Sequence, residues 1–327
     1  MNDLRSNAQS PDEQSEDGRF LRQQDAFRDW VRGDGSSPYP AVAGRYHLYV
    51  SLACPWAHRT IVTRKLKKLE HAIPMTVVDP IRDERGWRFG DRFLSELYRA
   101  TDPSYRGRVT VPVLWDTESN RIVSNSDDDI MRMFETEFDA IGDASLDLYP
   151  QALRGEIDAL NEEIFTSVND GVYKAGFATS QSAYEEAARA LFAMLDRLDE
   201  RLATRRYLFG DRPVESDWRL FVTLVRFDAV YLGHFKCNLR RIADYPNLSD
   251  YLRDLYQIPG IAETVNFDHI KRHYYMTHDD INPTRIVPIG PLLLLDAPHG
   301  RECLKHGRRQ LSLPPGDNYL CRSEAGG

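Results

Sequence analysis

Hydrophobic and polar residues follow two different patterns along this chain, and the change falls near residue 150. Before it, short runs rich in strand-forming residues predict four strands, at Tyr46–Val50, residues 74–78, residues 109–115 and Arg121–Ser124. Helical patterning follows the first and the last of these runs, over residues 55–69 and 126–138. The order β-α-β and then β-β-α predicts a thioredoxin-like domain, which we place at residues 27–142.

Between the second and third predicted strands, residues 82–108 are charged and interrupted by glycines. We interpret this stretch as one long loop. Long loops within compact domains tend to have a function, and Trp87 and Phe89 stand out as aromatic residues in this segment.

Beyond residue 150, apolar residues recur every three or four positions, which is the spacing of a helix face. One series is Leu153, Ile157, Leu160, Ile164 and Val168, and another is Tyr184, Ala188, Leu191, Leu195, Leu198 and Leu202. Residues 220–230 are apolar nearly all round, which predicts a buried central helix. The sequence therefore predicts an α/β thioredoxin-like N-terminal domain followed by an all-α domain at residues 150–290.

Both ends of the chain lack these patterns. Residues 1–26 are polar and charged, and they predict a disordered lead-in. Residues 291–327 lose periodicity and contain Pro314-Pro315-Gly316, which predicts an irregular tail.

Net charge, apolar run lengths and cysteine spacing limit which partners and which cellular compartment fit this chain. The formal net charge is −8 and the sequence pI is about 5.6, which argues against a nucleic-acid partner. No apolar run has the length of a signal-peptide core or a membrane span. The four cysteines are widely spaced and form no C-x-x-C pair, so neither a zinc site nor a disulfide framework is indicated. We expect a cytoplasmic protein.

Cys54 is the strongest candidate for chemistry. It lies between a predicted strand and a predicted helix, and Pro55 suits the first helical position. A helix start presents unpaired N–H groups and a positive dipole end, which favour a thiolate and predict a lowered cysteine pKa. Ala57 stands where a dithiol motif has its second cysteine, so a mixed disulfide on Cys54 needs an external thiol. The alternative is a buried structural cysteine.

Five stretches of the chain resemble the glutathionyl-hydroquinone reductases, the Xi class of glutathione transferases, which are related to the Omega class. They are residues 54–60, 108–116, 169–178, 233–241 and 269–275. The resemblance implies the glutathione transferase fold and a two-step thiol exchange. Cys54 would take glutathione from a glutathionyl adduct of a hydroquinone, and a second glutathione would then resolve the mixed disulfide. The substrates implied are glutathione and an aromatic thiol adduct, with no metal.

The resemblance also implies roles for individual residues. Tyr173 falls on the family's proton donor, and Tyr231 and Tyr274 fall on tyrosines thought to lower the Cys54 pKa. The implied glutathione contacts are Trp87, Arg108, Val109, Thr110, Val111, Ser126 and Asp127. The proline of the third-strand motif, Pro112, corresponds to one that is usually cis in thioredoxin-like domains, although X–Pro bonds in general are mostly trans.

One departure from the family pattern bears on the thiol. Ser126-Asp127 stands where the family has Glu-Ser, which holds the γ-glutamyl end of glutathione. Asp127-Asp128-Asp129 would place negative charge beside the carboxylate of the ligand and weaken its binding, or favour a different thiol. Alternatively, the three carboxylates only complement the helix dipole. The sequence leaves both readings open.

Other interpretations remain as alternatives. The enzyme could conjugate glutathione to an electrophile, or the chain could be a non-catalytic ligand-binding protein. His269 and His273 lie four residues apart, but no third ligand accompanies them, so we expect polar packing rather than a metal site. The family forms homodimers, and the resemblance implies one here.

Overall fold

The first domain is built on a four-stranded mixed sheet. The computed structural model describes residues 13–83 and 85–304 of the 327-residue chain. The sheet has the order β4-β3-β7-β8, and its strands are β3 (Tyr46–Val50), β4 (Met75–Val77), β7 (Val113–Asp116) and β8 (Arg121–Ser124). Strand β3 pairs parallel to β4 and antiparallel to β7. Two short pairs lie outside this sheet: β1 (Val31–Arg32) with β2 (Tyr39–Pro40), and β5 (Arg88–Phe89) with β6 (Arg92–Phe93).

Helices α1 (Pro55–Leu66) and α3 (Asp127–Thr136) pack against each other and bury apolar side chains of the sheet. The helix α2 (Leu94–Thr101) corrects the prediction of one long loop over residues 82–108. Leu94, Leu97 and Tyr98 are buried on one face of α2, so helical spacing is present within the charged stretch. The predicted fourth strand has the observed bounds, and Val111–Pro112 is cis.

The second part of the chain is helical, which confirms the predicted fold class. Its α-helices are α4 (Arg154–Ile164), α5 (Gly171–Gly176), α6 (Gln181–Leu202), α7 (Glu215–Arg226), α8 (Leu248–Tyr256) and α9 (Phe267–Thr277). Every residue of α7 is buried. The predicted buried helix at residues 220–230 corresponds to the end of α7 and the turn that follows, whereas α7 itself begins earlier, at Glu215. Two π-helical turns, Phe165–Asn169 and Phe227–Tyr231, directly follow α4 and α7. Such turns re-aim the residues that follow them, and they are frequent at functional sites.

The prediction of a disordered lead-in does not hold for residues 13–26. Phe20 is buried in the core of the helical domain, and Gln14 donates a hydrogen bond to the carbonyl oxygen of Phe177. Arg22 forms an ion pair with Asp170. The apolar and charged anchors are spaced too widely in this polar stretch to produce a periodic signal. Residues 1–12 lie outside the described part of the chain.

Residues 291–304 have no strand or α-helix, and a 3₁₀ turn ends them at Arg301–Leu304. Arg301 and Leu304 are buried, and Arg301 donates to the carbonyl oxygens of Leu202 and Arg206. Within residues 13–304, Cys54 and Cys237 are free thiols, whereas Cys303 is disulfide-bonded, a pairing that the spacing of the cysteines did not indicate. The remaining tail, residues 305–327, lies outside the described residues. No helix in the described ranges is long and apolar enough to cross a membrane.

Candidate active site

A cavity of about 610 Å³ lies between the thioredoxin-like domain, the helical domain and residues 13–26, which we call the N-terminal segment. Cys54 and Tyr173 both line it, together with Tyr274. The predicted glutathione contacts also line it: Trp87, Arg108, Val109, Thr110, Val111, Ser126 and Asp127. Tyr231 does not reach the wall, because it is fully buried behind Tyr274.

Cys54 is the N-cap residue of α1, as the sequence predicts, and Pro55 is the first residue of the helix. The amide of Ala57 donates to Sγ at 3.5 Å. The thiol donates to the carbonyl oxygen of Val111 at 3.6 Å. The sulfur therefore lies between a helix N-terminus and the backbone that precedes the cis proline, where a peptide thiol can pair with an extended strand end.

The predicted lowering of the Cys54 pKa is corrected by the structure. Burial of the sulfur raises the pKa of this thiol, although the Ala57 amide and the positive charge of Arg226 both lower it. The helix start acts in the predicted direction, but the loss of hydration outweighs it. The sequence could not show how deeply the sulfur is buried.

Arg226, at the end of α7, is a cation whose charge lowers the pKa of Cys54, and so it is a candidate counter-charge for a Cys54 thiolate. It is fully buried. Its guanidinium donates to the carbonyl oxygens of Leu52, Ala53 and Val222, and contacts His58 Nδ1 at 2.9 Å. All of these partners are neutral, because burial and Arg226 itself lower the pKa of His58 well below its usual value. A thiolate at Cys54 would supply the missing negative charge.

The backbone of residues 109–111 forms the wall next to Cys54. The Tyr98 hydroxyl donates to the carbonyl oxygen of Thr110 at 2.9 Å, and Asn125 donates to the Thr110 hydroxyl at 3.0 Å. Arg108 is ion-paired with the buried carboxylate of Glu13. The Glu13 carboxylate thus occupies Arg108, which is one of the predicted glutathione contacts.

Trp87 is buried and stacks on His273, with 5.0 Å between ring centroids. His273 also hydrogen-bonds through Nδ1 to the carbonyl oxygen of Pro80 at 2.8 Å. Both rings line the cavity. Among the described residues, no group of three or more His, Cys, Asp or Glu side chains is placed to hold a metal ion.

The three aspartates at the start of α3 are each paired with an arginine. Arg59 donates to Asp127 at 2.7 Å and to Asp128 at 2.9 Å. Arg219 also pairs with Asp128, and Arg28 binds Asp129 through two nitrogens. This pairing weakens the argument that the acidic triplet repels the ligand carboxylate. Ser126 caps the helix by accepting from the Asp129 amide at 3.3 Å.

The three tyrosines are hydrogen-bonded to each other rather than to Cys54. The Tyr173 and Tyr274 hydroxyl oxygens are 2.6 Å apart, and those of Tyr231 and Tyr274 are 2.9 Å apart. Burial raises the pKa of Tyr173 to about 12, and it raises the pKa values of Tyr231 and Tyr274 well above their usual value. Within the described residues, the hydrogen-bond partners of Cys54 Sγ are backbone groups, the Val111 carbonyl and the Ala57 amide, whereas the Tyr274 hydroxyl contacts those of Tyr173 and Tyr231.

An aromatic wall next to Tyr173 was not predicted from the sequence. Trp56 lies 5.9 Å from Tyr173 between ring centroids, and Phe177 lies 6.0 Å from it. Phe20, from the N-terminal segment, packs against Tyr173 and Phe177. Trp56 directly follows Cys54-Pro55 in the sequence, and this position next to the candidate nucleophile could have identified it as a site residue. Such walls suit an aromatic substrate.

Two family models match the chain, in the same order as its domains. Residues 53–137 match the glutathione S-transferase N-terminal domain, and residues 181–254 match the C-terminal domain. These matches agree with the observed change from a mixed to an all-helical architecture.

Full-length relatives point to one group. The chain is 54% identical over 311 residues to glutathionyl-hydroquinone reductase YqjG of Escherichia coli strain K12, covering 89% of this chain and 94% of that protein. It is 47% identical over 292 residues to glutathionyl-hydroquinone reductase PcpF of Sphingobium chlorophenolicum, covering 86% and 92%. The glutathione-bound structure of YqjG superimposes with a TM-score of 0.82, covering 85% of this chain and 96% of that one.

Proposed function

Because this chain belongs to the glutathionyl-hydroquinone reductases of the glutathione transferase superfamily, we propose that it reduces S-glutathionyl-hydroquinones to hydroquinones with glutathione as the reductant. The observation that supports this best is the meeting of Cys54, Tyr173 and the Val111 backbone in one cavity. The cavity thereby combines a nucleophile, an acid and a peptide-binding edge.

In the first step, the Cys54 thiolate attacks the sulfur of the adduct. A disulfide forms between Cys54 and glutathione while the bond between sulfur and the ring carbon breaks. The electron pair of that bond goes to the ring carbon, which takes the proton of the Tyr173 hydroxyl. The hydroquinone leaves, and Tyr173 is left as a phenolate that Tyr274 stabilises through their hydrogen bond.

In the second step, another glutathione resolves the mixed disulfide. Its proton returns to the Tyr173 phenolate, and its thiolate attacks the glutathione sulfur bound to Cys54. Glutathione disulfide leaves and the Cys54 thiolate is restored. A positive charge at Arg226 favours this leaving group, because it stabilises the thiolate.

The thiol that best suits the cavity is glutathione. Val111 precedes the cis proline and supplies the backbone for its cysteinyl residue. Asp127 offers a carboxylate to its ammonium group, and Ser126 lies beside it. The arginine pairing of the acidic triplet removes the main reason to favour another thiol. A homodimer and a cytoplasmic location, where glutathione is abundant, complete the proposal.

Mass spectrometry and steady-state kinetics on the same variants test this function. Incubating the protein with an S-glutathionyl-naphthohydroquinone should leave one glutathione on Cys54, and adding glutathione should remove it. Cys54→Ser should abolish turnover, while Cys237→Ser, a buried free thiol away from the cavity, should retain it. Glutathione on Cys54 without release of hydroquinone would reject the reaction. Turnover in Cys54→Ser would show that Cys54 is not the nucleophile.

A further inference from the structure

The N-terminal segment places a cation in the cavity that the reaction above does not use. The guanidinium carbon of Arg22 lies 4.3 Å from the centre of the Trp56 ring and 5.0 Å from that of Tyr173. Arg22 Nε donates to Asp170 Oδ1 at 2.5 Å. The side chain lines the same cavity as Cys54 and is 29% exposed. Three neighbours from two domains therefore fix its position.

We propose that Arg22 is a positioning residue that assists proton donation by Tyr173, an inference that rests on the proposed function. When Tyr173 gives its proton to the ring carbon, negative charge appears on the phenol oxygen. A guanidinium held over the ring favours that phenolate over the phenol, because opposite charges attract more strongly in a partly dehydrated site. Arg22 thus makes Tyr173 a stronger acid at the moment of transfer.

The charges around Tyr173 are consistent with this role. Burial and the negative charge of Cys54 raise the pKa of Tyr173, whereas the Tyr274 hydrogen bond and the charge of Arg22 lower it. Among the five largest influences on this pKa, Arg22 is the cation. The second step of the reaction requires no proton transfer to a ring carbon, so Arg22 should matter mainly in the first.

Asp170 does not cancel the effect of Arg22. Its carboxylate also lies 3.6 Å from Lys174 Nζ, so two cations share one anion. Two further carboxylates interact electrostatically with Arg22. One is Asp127, which is paired with Arg59, and the other is Asp25. Burial raises the pKa of Asp25 to about 7, so it is partly neutral near neutral pH.

The test separates the two half-reactions in rapid-mixing experiments. The first is release of hydroquinone from an S-glutathionyl-naphthohydroquinone. The second is resolution by glutathione of a mixed disulfide prepared beforehand with glutathione disulfide. Arg22→Gln removes the charge and Arg22→Lys keeps it. Arg19→Gln is the matched control, because Arg19 lies in the same segment but is exposed and paired with Asp17 and Glu186.

We expect Arg22→Gln to slow hydroquinone release about tenfold, which corresponds to about one pKa unit in Tyr173. The apparent pKa in the pH profile of hydroquinone release should rise. The rate of the second half-reaction should stay within about twofold of the wild-type rate. Arg22→Lys should recover much of the loss, and Arg19→Gln should behave as the wild type. An unchanged first rate, or an equal loss in both half-reactions, would overturn the proposal.

Asp170→Asn keeps the test decisive if Arg22→Gln does not fold. This variant retains the cation and removes its counter-charge. The apparent pKa of the first half-reaction should then fall below the wild-type value, and a rise would contradict the role of Arg22. Failure of the proposed function would look different, because wild-type protein would then release no hydroquinone at all.

Discussion

The Arg226 guanidinium donates a hydrogen bond to the carbonyl oxygen of Ala53 at 2.9 Å, across 173 positions of sequence. It binds the Leu52 carbonyl in the same way, at 3.0 Å. A buried cation of the helical domain therefore holds the loop that precedes Cys54. It also lowers the pKa of the Cys54 thiol against the effect of burial.

Replacing Arg226 should make Cys54 harder to ionise. We expect Arg226→Met to raise the apparent pKa of Cys54 alkylation by about one unit or more, because the counter-charge is lost. Arg226→Lys, which keeps the charge, should shift it less. The measurement is the pH dependence of iodoacetamide labelling at Cys54, followed by mass spectrometry.

Exposed Arg240→Met, in the same domain and paired with Asp196, serves as the control for that experiment. Circular dichroism should show that each variant is folded. Equal alkylation pKa values in folded wild type and Arg226→Met would refute the electrostatic role, and would leave Arg226 with only a structural one.

Glu13 should compete with glutathione for Arg108. Its buried carboxylate forms an ion pair with Arg108, which is a proposed glutathione contact. We expect Glu13→Gln to lower the KM for glutathione several-fold, because a neutral amide holds the guanidinium less tightly. Glu16→Gln, an exposed change in the same segment, should leave the KM unchanged. A higher KM in Glu13→Gln would mean that Glu13 orients Arg108 for binding instead.

The sequence predicted the parts of the site that local chain geometry determines. Cys54 caps α1 and Pro55 starts it, because a strand-to-helix junction with a proline at the first helical position is encoded within a few residues. Ser126 caps α3 for the same reason. The fold class followed from the order of these local elements and from the change in hydrophobic period near residue 150.

The parts that were missed depend on contacts between distant segments. Arg22 meets Asp170 across 148 positions, and Arg226 meets Ala53 across 173. Arg22 is not distinguishable by local pattern from a solvated surface charge. Arg226 lies within the predicted buried helix at residues 220–230, but the pattern does not show which groups it contacts. The direction of the Cys54 pKa shift was wrong for a related reason: burial of the sulfur results from the packing of both domains, which no short motif records.

Asp127 should make glutathione binding depend on pH. Burial raises the pKa of this carboxyl to about 6, although Arg59 lowers it. Above that pH the carboxylate attracts the ammonium group of the ligand, and below it the attraction is lost. We expect the KM for glutathione to rise about fivefold as pH falls through 6, corresponding to roughly 1 kcal/mol.

Asp127→Asn should have the higher KM at all pH values and lose this inflection. Asp25→Asn should retain an inflection, although Asp25 lines the same cavity and burial raises its pKa to about 7. The KM should be measured between pH 5 and 8 in one mixed buffer. If the inflection persists in Asp127→Asn and disappears in Asp25→Asn, Asp25 rather than Asp127 binds the ammonium group.

Glu135 lowers the stability of the fold as pH rises. Both of its carboxylate oxygens are buried and have no hydrogen-bond partner among the described residues, and Arg132 Nε lies 3.7 Å away. Burial and the charge of Glu215 raise the pKa of Glu135 well above its usual value. The folded state therefore keeps this proton after the unfolded state has lost it, so the free energy of unfolding falls with pH above the unfolded pKa, which is about 4.3.

Glu135→Gln keeps the shape of the side chain and removes its titration. The variant should match the wild type near pH 4.5 and become progressively more stable above it, with a gain of about 1 kcal/mol or more at pH 8, since one proton contributes at most about 1.4 kcal/mol per pH unit. Urea unfolding at pH 5 and pH 8 measures the difference. Glu135→Ala should instead lose stability at both values, because it leaves a cavity. A glutamine variant whose stability relative to the wild type does not change with pH would show that Glu135 is ionised in the folded protein and compensated by Arg132.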